Sequence, residues 1–345
     1  MPDKHHCLKY FPAILFSLLI AACGGKEYSL PAAEPLTSSA GEQAQLYKIA
    51  TGPYQVAKKT DLVIAATHRD LELNLYYPKD NSDDTFPLLL FSHGNWSDKD
   101  SYDRIIEHWT SHGYITISIN HLDCCSMLGG IISSIRHGQL GLIEGRINDL
   151  NFLLDNLDSL AATVPALKGK IDRKNIAATG HSFGAFSAQQ LTGAGTYDPD
   201  TEKYLFFRDQ RIKAVVAISP PGEMFDTITD RSWLEIEKPM LVTTGTWDSN
   251  EQFWPDWRAH KLSFDTAKPG QNYALITQGA DHYLGNLICT LDREIAPQYD
   301  ALNMLNATTT AFLDAYLKNN KEAAEFISGD ELATLTKGFA VIEQR

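Results

Sequence analysis

The stretch NIAATGHSFGAFSAQQL, residues 175–191, joins an apolar run to a Gly-His-Ser-Phe-Gly turn and then to a segment of small residues. The apolar run is typical of a buried strand and the following segment of a helix, so Ser182 lies where a strand turns into a helix. Gly180 and Gly184 stand two positions to either side, where larger side chains would collide in so sharp a turn. The stretch predicts a serine hydroxyl raised above a sheet edge, although a tight turn that merely contains serine has the same local pattern.

The chain around this stretch alternates strand-like and helix-like segments from about residue 46 onward. Strands are predicted at 71–78, 87–94, 114–120, 175–182, 212–221, 239–248 and 272–282, and helices at 102–113 and 143–160. Continuous apolar runs such as 87–94 indicate strands that are buried on both faces. The predicted fold class is therefore α/β, with a mostly parallel central sheet and helices on both faces. The tail, residues 319–345, is predicted to be a helical extension.

Three side chains with complementary chemistry stand at the ends of different predicted strands: Ser182, Asp248 and His282, in that chain order. In an open parallel sheet, ligands bind beyond the carboxyl ends of the strands, so these side chains are expected to meet at one edge. A serine hydroxyl is a poor nucleophile unless a base removes its proton, and an acid can orient that base. We therefore predict Ser182 as the nucleophile, His282 as the base and Asp248 as the acid.

Other residues remain alternatives for the base and the acid. His121 also follows a predicted strand, but as the base it would not fit the chain order serine, acid, histidine. Asp226 follows the preceding strand and Asp281 is adjacent to His282, so either could replace Asp248. Asp281 is less favoured because adjacent side chains in an extended strand point to opposite sides.

Ester or amide chemistry at a serine also needs two backbone N–H donors aimed at the carbonyl oxygen. Phe183, directly after the nucleophile, is predicted to supply one of them. Asn95 is predicted to supply the other, because Gly94 lets the turn after the run LLLFSHG approach closely. Trp96 and Trp247 lie beside these loops and are candidates for lining an apolar substrate cleft, with ordinary packing as the alternative.

The first residues have the pattern of an export signal. Residues 11–22 form an apolar run that is too short to span a bilayer as a helix but has the length of a signal-peptide core. The run ends in IAAC, which resembles a bacterial lipobox and implies cleavage before Cys23 and lipidation of that cysteine. We predict a signal peptide over 1–22, a flexible tether over 23–45 and a catalytic domain over 46–345. The product would be anchored in the bacterial cell envelope, in the periplasm or at the outer membrane, or secreted if the signal is a plain one.

Charge and cysteine content narrow the expected partners. The chain of 345 residues has a formal net charge of −13, which argues against a nucleic-acid partner because phosphate binding requires a basic surface. An oxidising compartment permits a disulfide, and we expect Cys289 to pair with Cys124 or Cys125, with three unpaired cysteines as the alternative. No metal site is predicted, because no Cys-x-x-Cys pair has a second cluster to complete it.

The motifs FSHGNWSDKDSY (91–102), GHSFGA (180–185), TTGTWD (243–248) and GADHY (279–283), in this order, resemble the α/β-hydrolase superfamily. Within it, residues 60–320 resemble the dienelactone-hydrolase-like and platelet-activating-factor-acetylhydrolase-like esterases, and more distantly the cutinase-like polyesterases. The resemblance implies a serine carboxylic-ester hydrolase that needs no cofactor, acts on small or lipid-like esters and meets the membrane only through a lipid anchor.

Two departures from these families bear on the assignment. Dienelactone hydrolases proper use a cysteine nucleophile, whereas position 182 is serine. In the acetylhydrolases the acid follows an earlier strand, where the stretch SPPGEMFD (219–226) offers only Asp226, so Asp248 is preferred. The alternatives in function are a peptidase or amidase with the same triad, because the triad does not separate amides from esters, and a non-catalytic envelope lipoprotein on a hydrolase fold.

Overall fold

The computed structural model describes residues 29–66, 69–80, 82–289 and 294–345. Ala32–Arg345 form one compact unit. The predicted signal peptide, residues 1–22, and the predicted lipidation site, Cys23, lie outside the described residues. None of the described helices is both long enough and apolar enough to cross a membrane.

A mixed sheet of nine strands is the centre of the described structure, and a separate two-stranded hairpin lies beside it. The strands are β1 (Gln55–Ala65), β2 (Asp70–Lys79), β3 (Phe86–Ser92), β4 (Ile115–Ile119), β5 (Ile171–His181), β6 (Gly195–Asp198), β7 (Lys203–Phe206), β8 (Ile212–Ile218), β9 (Met240–Trp247), β10 (Asn272–Asp281) and β11 (Ala340–Gln344). Their order in the sheet is β1-β2-β4-β3-β5-β8-β9-β10-β11, and β6 pairs with β7.

The six inner strands, in the sheet order β4-β3-β5-β8-β9-β10, run parallel to one another. The edge strands β1, β2 and β11 pair in antiparallel fashion. Every residue of β3 and β4 is buried, as expected for strands that are covered on both faces. The predicted mostly parallel sheet of the α/β-hydrolase fold is therefore confirmed.

Helices cover both faces of this sheet. They are α1 (Ala40–Gln43), α2 (Asp103–Ser111), α3 (Met127–Asp155), α4 (Leu157–Thr163), α5 (Phe183–Gln190), α6 (Leu262–Thr266), α7 (Tyr299–Leu317), α8 (Lys321–Ser328) and α9 (Glu331–Leu335). Along β3, Leu88 and Leu90 pack into a core with α3, α4 and α5, whereas Leu89 and Phe91 pack into a second core with α2 and α7. The alternation of side chains along one strand thus supplies both cores.

The structure differs from the sequence-based description at both ends of the predicted domain. The compact unit begins at Ala32, and α1, within the predicted tether, is closed by a reciprocal pair of hydrogen bonds between Ser39 and Glu42. The tail is not wholly helical, because it ends in β11, which pairs with β10. The residues of β11 do not alternate between buried and exposed, and only Ala340 is fully buried, so the sequence carries no clear strand pattern there.

Candidate active site

Ser182 occupies a strained turn between β5 and α5. Its backbone has φ 53° and ψ −122°, a conformation that non-glycine residues rarely adopt. A Cβ atom at Gly180 would lie 2.3 Å from the carbonyl oxygen of Gly184, and one at Gly184 would lie 2.0 Å from the carbonyl oxygen of Ser92. Both glycines are therefore required by the close approach of backbone to backbone, and the turn is held by a 2.8 Å bond from Ser182 N–H to the carbonyl of Ile218.

Asp248 and His282 follow β9 and β10 and are in direct contact. Nδ1 of His282 lies 2.7 Å from Oδ1 of Asp248, and the hydroxyl of Thr244 donates to Oδ2 over 3.1 Å. Asp248 is buried, and its pKa is held well below its usual range: burial raises the pKa, but neighbouring histidines lower it by more. An ionised Asp248 fixes the imidazole of His282 with its hydrogen on Nδ1, which leaves Nε2 as the potential base.

The alternative acids and the alternative base lie in other environments. The carboxylate of Asp281 accepts hydrogen bonds from the backbone N–H groups of Tyr283 and Gly285. Asp226 is exposed to solvent. His121 is fully buried, and its ring lies between the hydroxyl of Ser92 and the carboxylate of Asp149, at 2.9 Å from each. The structure therefore brings Asp248, and neither of its alternatives, to the ring of His282.

A cavity of about 150 Å³ opens beside Ser182. The predicted triad and oxyanion residues on its wall are Ser182, His282, Asn95 and Phe183, and the aromatic residues include Trp96, Phe225, Phe253 and Trp254. Phe183 is the first residue of α5, where backbone N–H groups have no acceptor within the helix. The cavity therefore presents apolar walls and a helix N-terminus at the position where negative charge would develop.

Of the two tryptophans predicted to line the substrate cleft, Trp247 lies outside the cavity beside Ser182. Trp96 lines the cavity, but Trp247 lies over Gly279 and borders a different depression, which also contains Pro35 and Phe339. The prediction for Trp247 is wrong because adjacent residues at a strand end point to opposite sides, and Asp248 takes the side that faces His282. Trp254 is the residue that packs on the base instead, with its ring stacked on His282 at 5.1 Å and an interplanar angle of 25°.

The disulfide prediction is also corrected. Cys124 is bonded to its neighbour Cys125, in a turn after β4 where Cys125 has a left-handed backbone with φ 81°. Cys289 does not take part in this bond. It is buried, lies on the wall of the cavity, and its backbone N–H donates to the carbonyl of Ser101. The prediction failed because two adjacent cysteines can meet when the chain turns sharply between them.

A chain of hydrogen bonds connects the loop after β3 with the loop after β10. The backbone N–H of Gly94 donates to the hydroxyl of Tyr102 over 2.9 Å, and this hydroxyl lies 3.0 Å from Nδ1 of His181. Nε2 of His181 lies 2.9 Å from the carbonyl of His282. Burial holds the pKa of His181 well below its usual range, so its neutral ring accepts from Tyr102 and donates to that carbonyl. His181 thus couples the nucleophile turn to the backbone of the base.

Arg146 of α3 supports the loop after β3 from the other side. Its guanidinium group pairs with Asp123 at 2.6 Å, donates to the carbonyl of His93 over 2.6 Å, and stacks on the ring of Phe183 at 4.7 Å. Arg146 and Asp123 are buried, and the pair keeps the pKa of Asp123 at about 2 even though burial by itself would raise it. The ring of Phe183 and the backbone at His93, two residues before Asn95, are therefore in contact with a buried ion pair.

Among the residues of the site that the sequence analysis did not identify, His260 and Trp254 lie nearest to Asp248 and His282. Nε2 of His260 lies 3.0 Å from Oδ1 of Asp248. Asp248, His260 and His282 also present ligand atoms within 4.8 Å of one another. We interpret them as an electrostatic network: His282 is hydrogen-bonded to Oδ1 of Asp248 at 2.7 Å, and Nε2 of His260 is an ion-pair contact of the same oxygen without hydrogen-bond geometry. The stretch FWPDWRAHK, residues 253–261, is rich in aromatic and basic side chains, which is the only sequence signal of this region.

The start of α3, beside the cavity, is apolar and exposed. The large exposed side chains of this apolar segment, residues 127–135, are Met127, Leu128, Ile131, Ile132 and Ile135. Gly130, in the middle of the segment, packs so closely on the indole of Trp96 that a Cβ atom would lie 1.8 Å from it. The apolar segment is therefore continuous with the cavity wall.

Comparison of the sequence with known proteins finds a distant relative of this chain. No family model matches the chain. Over 287 residues the chain is 22% identical to the platelet-activating factor acetylhydrolase of Cavia porcellus, and the match covers 71% of this chain and 62% of that protein. The chain therefore spans less than two thirds of the length of this relative. The relative is a distant homologue of this chain.

Proposed function

We propose that this protein is a serine hydrolase of carboxylic esters that works through an acyl-enzyme. Ser182 attacks the ester carbonyl while His282 takes the hydroxyl proton and passes it to the leaving alcohol. Water, deprotonated by His282, then attacks the acyl-enzyme, and the acid is released as Ser182 recovers its proton. The observation that carries this proposal is the strained turn of Ser182 on a cavity wall that also contains His282, whose ring is bonded to the buried Asp248.

Negative charge on the carbonyl oxygen would be stabilised by the backbone N–H groups of Phe183 and Asn95. Both residues line the cavity with Ser182, and Phe183 begins α5, whose N-terminus favours negative charge. The buried contacts of Arg146 keep this part of the cavity rigid before substrate binds. Preorganised donors of this kind contribute because they need no reorientation during the reaction.

The size of the cavity supports a short acyl group. A cavity of about 150 Å³ is comparable to one that encloses benzene, so it accommodates an acyl chain of a few carbons. The exposed apolar segment beside it supports an alcohol part that is apolar or lipid-like. An acetylhydrolase among the relatives agrees with this substrate class. We propose small or lipid-like esters with a short acyl chain as the substrates.

The cellular location is a further part of the proposal. Residues 1–22 would direct export, and lipidation of Cys23 would hold the enzyme in the cell envelope as its only link to the membrane. Expression of the full chain in a Gram-negative host with labelled palmitate tests this. Incorporation into the wild type but not into a Cys23→Ala variant is the expected result, and equal labelling of both would contradict it.

Hydrolysis of p-nitrophenyl butyrate by purified residues 29–345, together with labelling by a fluorophosphonate probe, tests the catalytic proposal. The wild type is expected to turn over the ester and to react with the probe, whereas Ser182→Ala does neither. A wild type that binds esters without turnover or labelling would indicate a non-catalytic protein. Faster cleavage of the matching p-nitroanilide would indicate an amidase.

A panel of p-nitrophenyl esters from acetate to decanoate tests the acyl-chain proposal. We expect kcat/KM to be highest for acetate to butyrate and to fall by at least about tenfold at octanoate, because the longer chain exceeds the cavity. Phe253→Ala enlarges the mouth of the cavity and should shift the optimum to longer chains. A preference of the wild type for decanoate would contradict the proposal.

A further inference from the structure

His260 was not predicted from the sequence, yet its ring approaches the same carboxylate oxygen of Asp248 as the candidate base His282 does. Oδ1 of Asp248 lies 2.7 Å from Nδ1 of His282 and 3.0 Å from Nε2 of His260. His260 belongs to the short 3₁₀-helix Trp257–Lys261 and is fully buried. The indole of Trp254 contacts both imidazoles, at ring-centroid distances of 4.8 Å to His260 and 5.1 Å to His282.

The protonation of His260 follows from the groups that face its two nitrogens. Nδ1 lies 2.7 Å from the carbonyl oxygen of Pro220, which can only accept, so Nδ1 carries a hydrogen. Nε2 faces the ionised carboxylate of Asp248, and a lone pair on Nε2 would be repelled there. A ring with hydrogens on both nitrogens donates to the carbonyl of Pro220 and places its positive charge beside the carboxylate, in ion-pair contact rather than in a regular hydrogen bond. Burial lowers the pKa of His260, but Asp248 raises it by more, so the net shift of this pKa is upward.

We propose that His260 is a positioning residue of the candidate triad, an imidazolium that holds Asp248 in place and shares its negative charge with His282. The proposal rests on the esterase function proposed above. It places His260 behind Asp248 in the candidate triad, whereas the proton itself moves only between Ser182, His282 and the substrate or water. Because part of the carboxylate charge is balanced by His260, Asp248 stabilises a protonated His282 less than it would with a single histidine partner.

The charges around His260 leave Asp248 as its main partner. The other titratable side chains near it are His282 and His181, and His181 is kept neutral by burial. Within the same short helix, Arg258 pairs with Asp256, and Lys261 pairs with the carboxylates of Asp265 and Glu343. These neighbours already have their own counter-charges, so a change at His260 acts mainly on Asp248 and His282.

Replacement by glutamine and by phenylalanine separates charge from shape. His260→Gln removes the positive charge, and the acidic limb of the pH profile of kcat/KM is expected to move up by about one pH unit, because His282 is protonated more easily. His260→Phe keeps a ring against Trp254 but removes both N–H donors. Its kcat is expected to fall about 10–100-fold through loss of the ion-pair contact that holds the carboxylate, with KM little changed.

His112→Gln is the matched control. His112 is also buried and also bonded to a backbone carbonyl, that of Ala50 at 3.0 Å, but it lies outside the cavity and its wall. Its pH profile should coincide with that of the wild type. A shift of the same size in His112→Gln would show that loss of any buried histidine moves the limb, and this result would overturn the proposal.

Nitrogen-15 NMR of the histidine rings tests the protonation state without using activity. The His260 signals, assigned by their loss in His260→Gln, should report a ring that is mainly protonated on both nitrogens at pH 6.5, because the pKa of His260 is raised above its ordinary value. A neutral ring at that pH, or a His260→Gln profile that coincides with the wild type, would overturn the proposal. Loss of wild-type activity on dialysis against EDTA would also overturn it, because a metal ion would then link the three side chains. A wild type that neither hydrolyses esters nor reacts with the fluorophosphonate probe would overturn the proposed esterase function. The NMR measurement would still test the charge of His260, because it does not depend on activity.

Discussion

The described part of the protein contains two groups of serine, histidine and aspartate that have the same residue types and similar hydrogen-bond distances. In the candidate active site, Ser182 and His282 line one cavity and His282 is bonded to Asp248 at 2.7 Å. In the second, which we call the buried cluster, Ser92 and Asp149 each lie 2.9 Å from opposite nitrogens of His121. By hydrogen-bond distances alone, the buried cluster is the more complete chain.

The surroundings of the two serines are what distinguish the two groups. Ser92 ends β3 in regular extended backbone, is fully buried, and its hydroxyl also accepts a hydrogen bond of 3.1 Å from Arg146. Ser182 has a strained backbone at the start of a helix and borders the cavity. Catalysis needs a substrate to reach the hydroxyl, so the comparison assigns chemistry to Ser182 and structural support to Ser92.

The largest expected effect separates the two serines by activity. Ser182→Ala should lower kcat/KM for p-nitrophenyl butyrate by about 10⁴-fold or more, since loss of a serine nucleophile costs up to about 10⁶-fold in known cases. Ser92→Ala should change it by less than about threefold per folded molecule, because its hydroxyl contacts no substrate. Initial rates normalised to the concentration of folded protein measure both. A loss in Ser92→Ala as large as that in Ser182→Ala would reverse the assignment.

The two aspartates should separate in the same way, with a somewhat smaller effect on rate. Asp248→Asn is expected to lower kcat by about 10⁴-fold with little loss of folding, because the amide no longer favours the right tautomer of His282. Asp149→Asn should instead lower the free energy of unfolding by about 3–5 kcal/mol, because Asp149 is the buried partner of Arg69 and His121. Urea unfolding and kcat, measured on both variants, check the distinction. Equal losses of kcat would break it.

Arg146 lies between the two constellations, and its removal should weaken both. Arg146→Met leaves Asp123 as an unpaired buried carboxylate, which costs about 3–5 kcal/mol in the free energy of unfolding. The control is Arg173→Met, whose partner Asp158 is exposed and whose loss should cost no more than about 1 kcal/mol. Urea titration at pH 7 compares them. Similar costs for both variants would show that the buried pair adds nothing special to the fold.

The smallest expected effect is on the pH dependence of the free energy of unfolding. The contributions of His121 and His260 to it are expected to change in opposite directions with pH. Burial keeps the pKa of His121 low, so its contribution to stability is present above about pH 6.5 and is lost as the pH falls toward the folded-state pKa. The pKa of His260 is raised, so its contribution is present below about pH 6.5 and is lost as the pH rises through the folded-state pKa.

Urea unfolding between pH 5 and pH 8.5 measures both contributions. In His121→Gln, the unfolding free energy should fall less steeply as the pH drops below about 6.5. In His260→Gln, it should fall less steeply as the pH rises above about 6.5. Each slope should change by at most about 1.4 kcal/mol per pH unit. The slopes, not the absolute stabilities, decide the result, because both variants also lose buried hydrogen bonds. Unchanged slopes in either variant would contradict the charge states assigned here.

The prediction of the fold from sequence succeeded where the strands are buried on both faces. The runs at 87–94, 114–120 and 175–182 are continuous in apolar residues, and the structure has β3, β4 and β5 there. The strand β1, which contains the adjacent residues Lys58 and Lys59, and the hairpin of β6 and β7 were not predicted. Their residues are half-exposed, and the patterns of such strands differ little from those of loops.

By itself, the sequence determined that Ser182, Asp248 and His282 follow predicted strands in this order and that Ser182 stands in a Gly-His-Ser-Phe-Gly turn. The close contacts that exclude a Cβ at Gly180 and Gly184 come partly from the turn itself and partly from Ser92 of another strand. Only the tertiary structure decided which side of a strand end each residue faces, and so placed Trp247 outside the cavity and Trp254 on the base. It also bonded Cys124 to Cys125 and brought His260 to Asp248. These contacts depend on loop paths and on packing between distant segments, which no local pattern encodes.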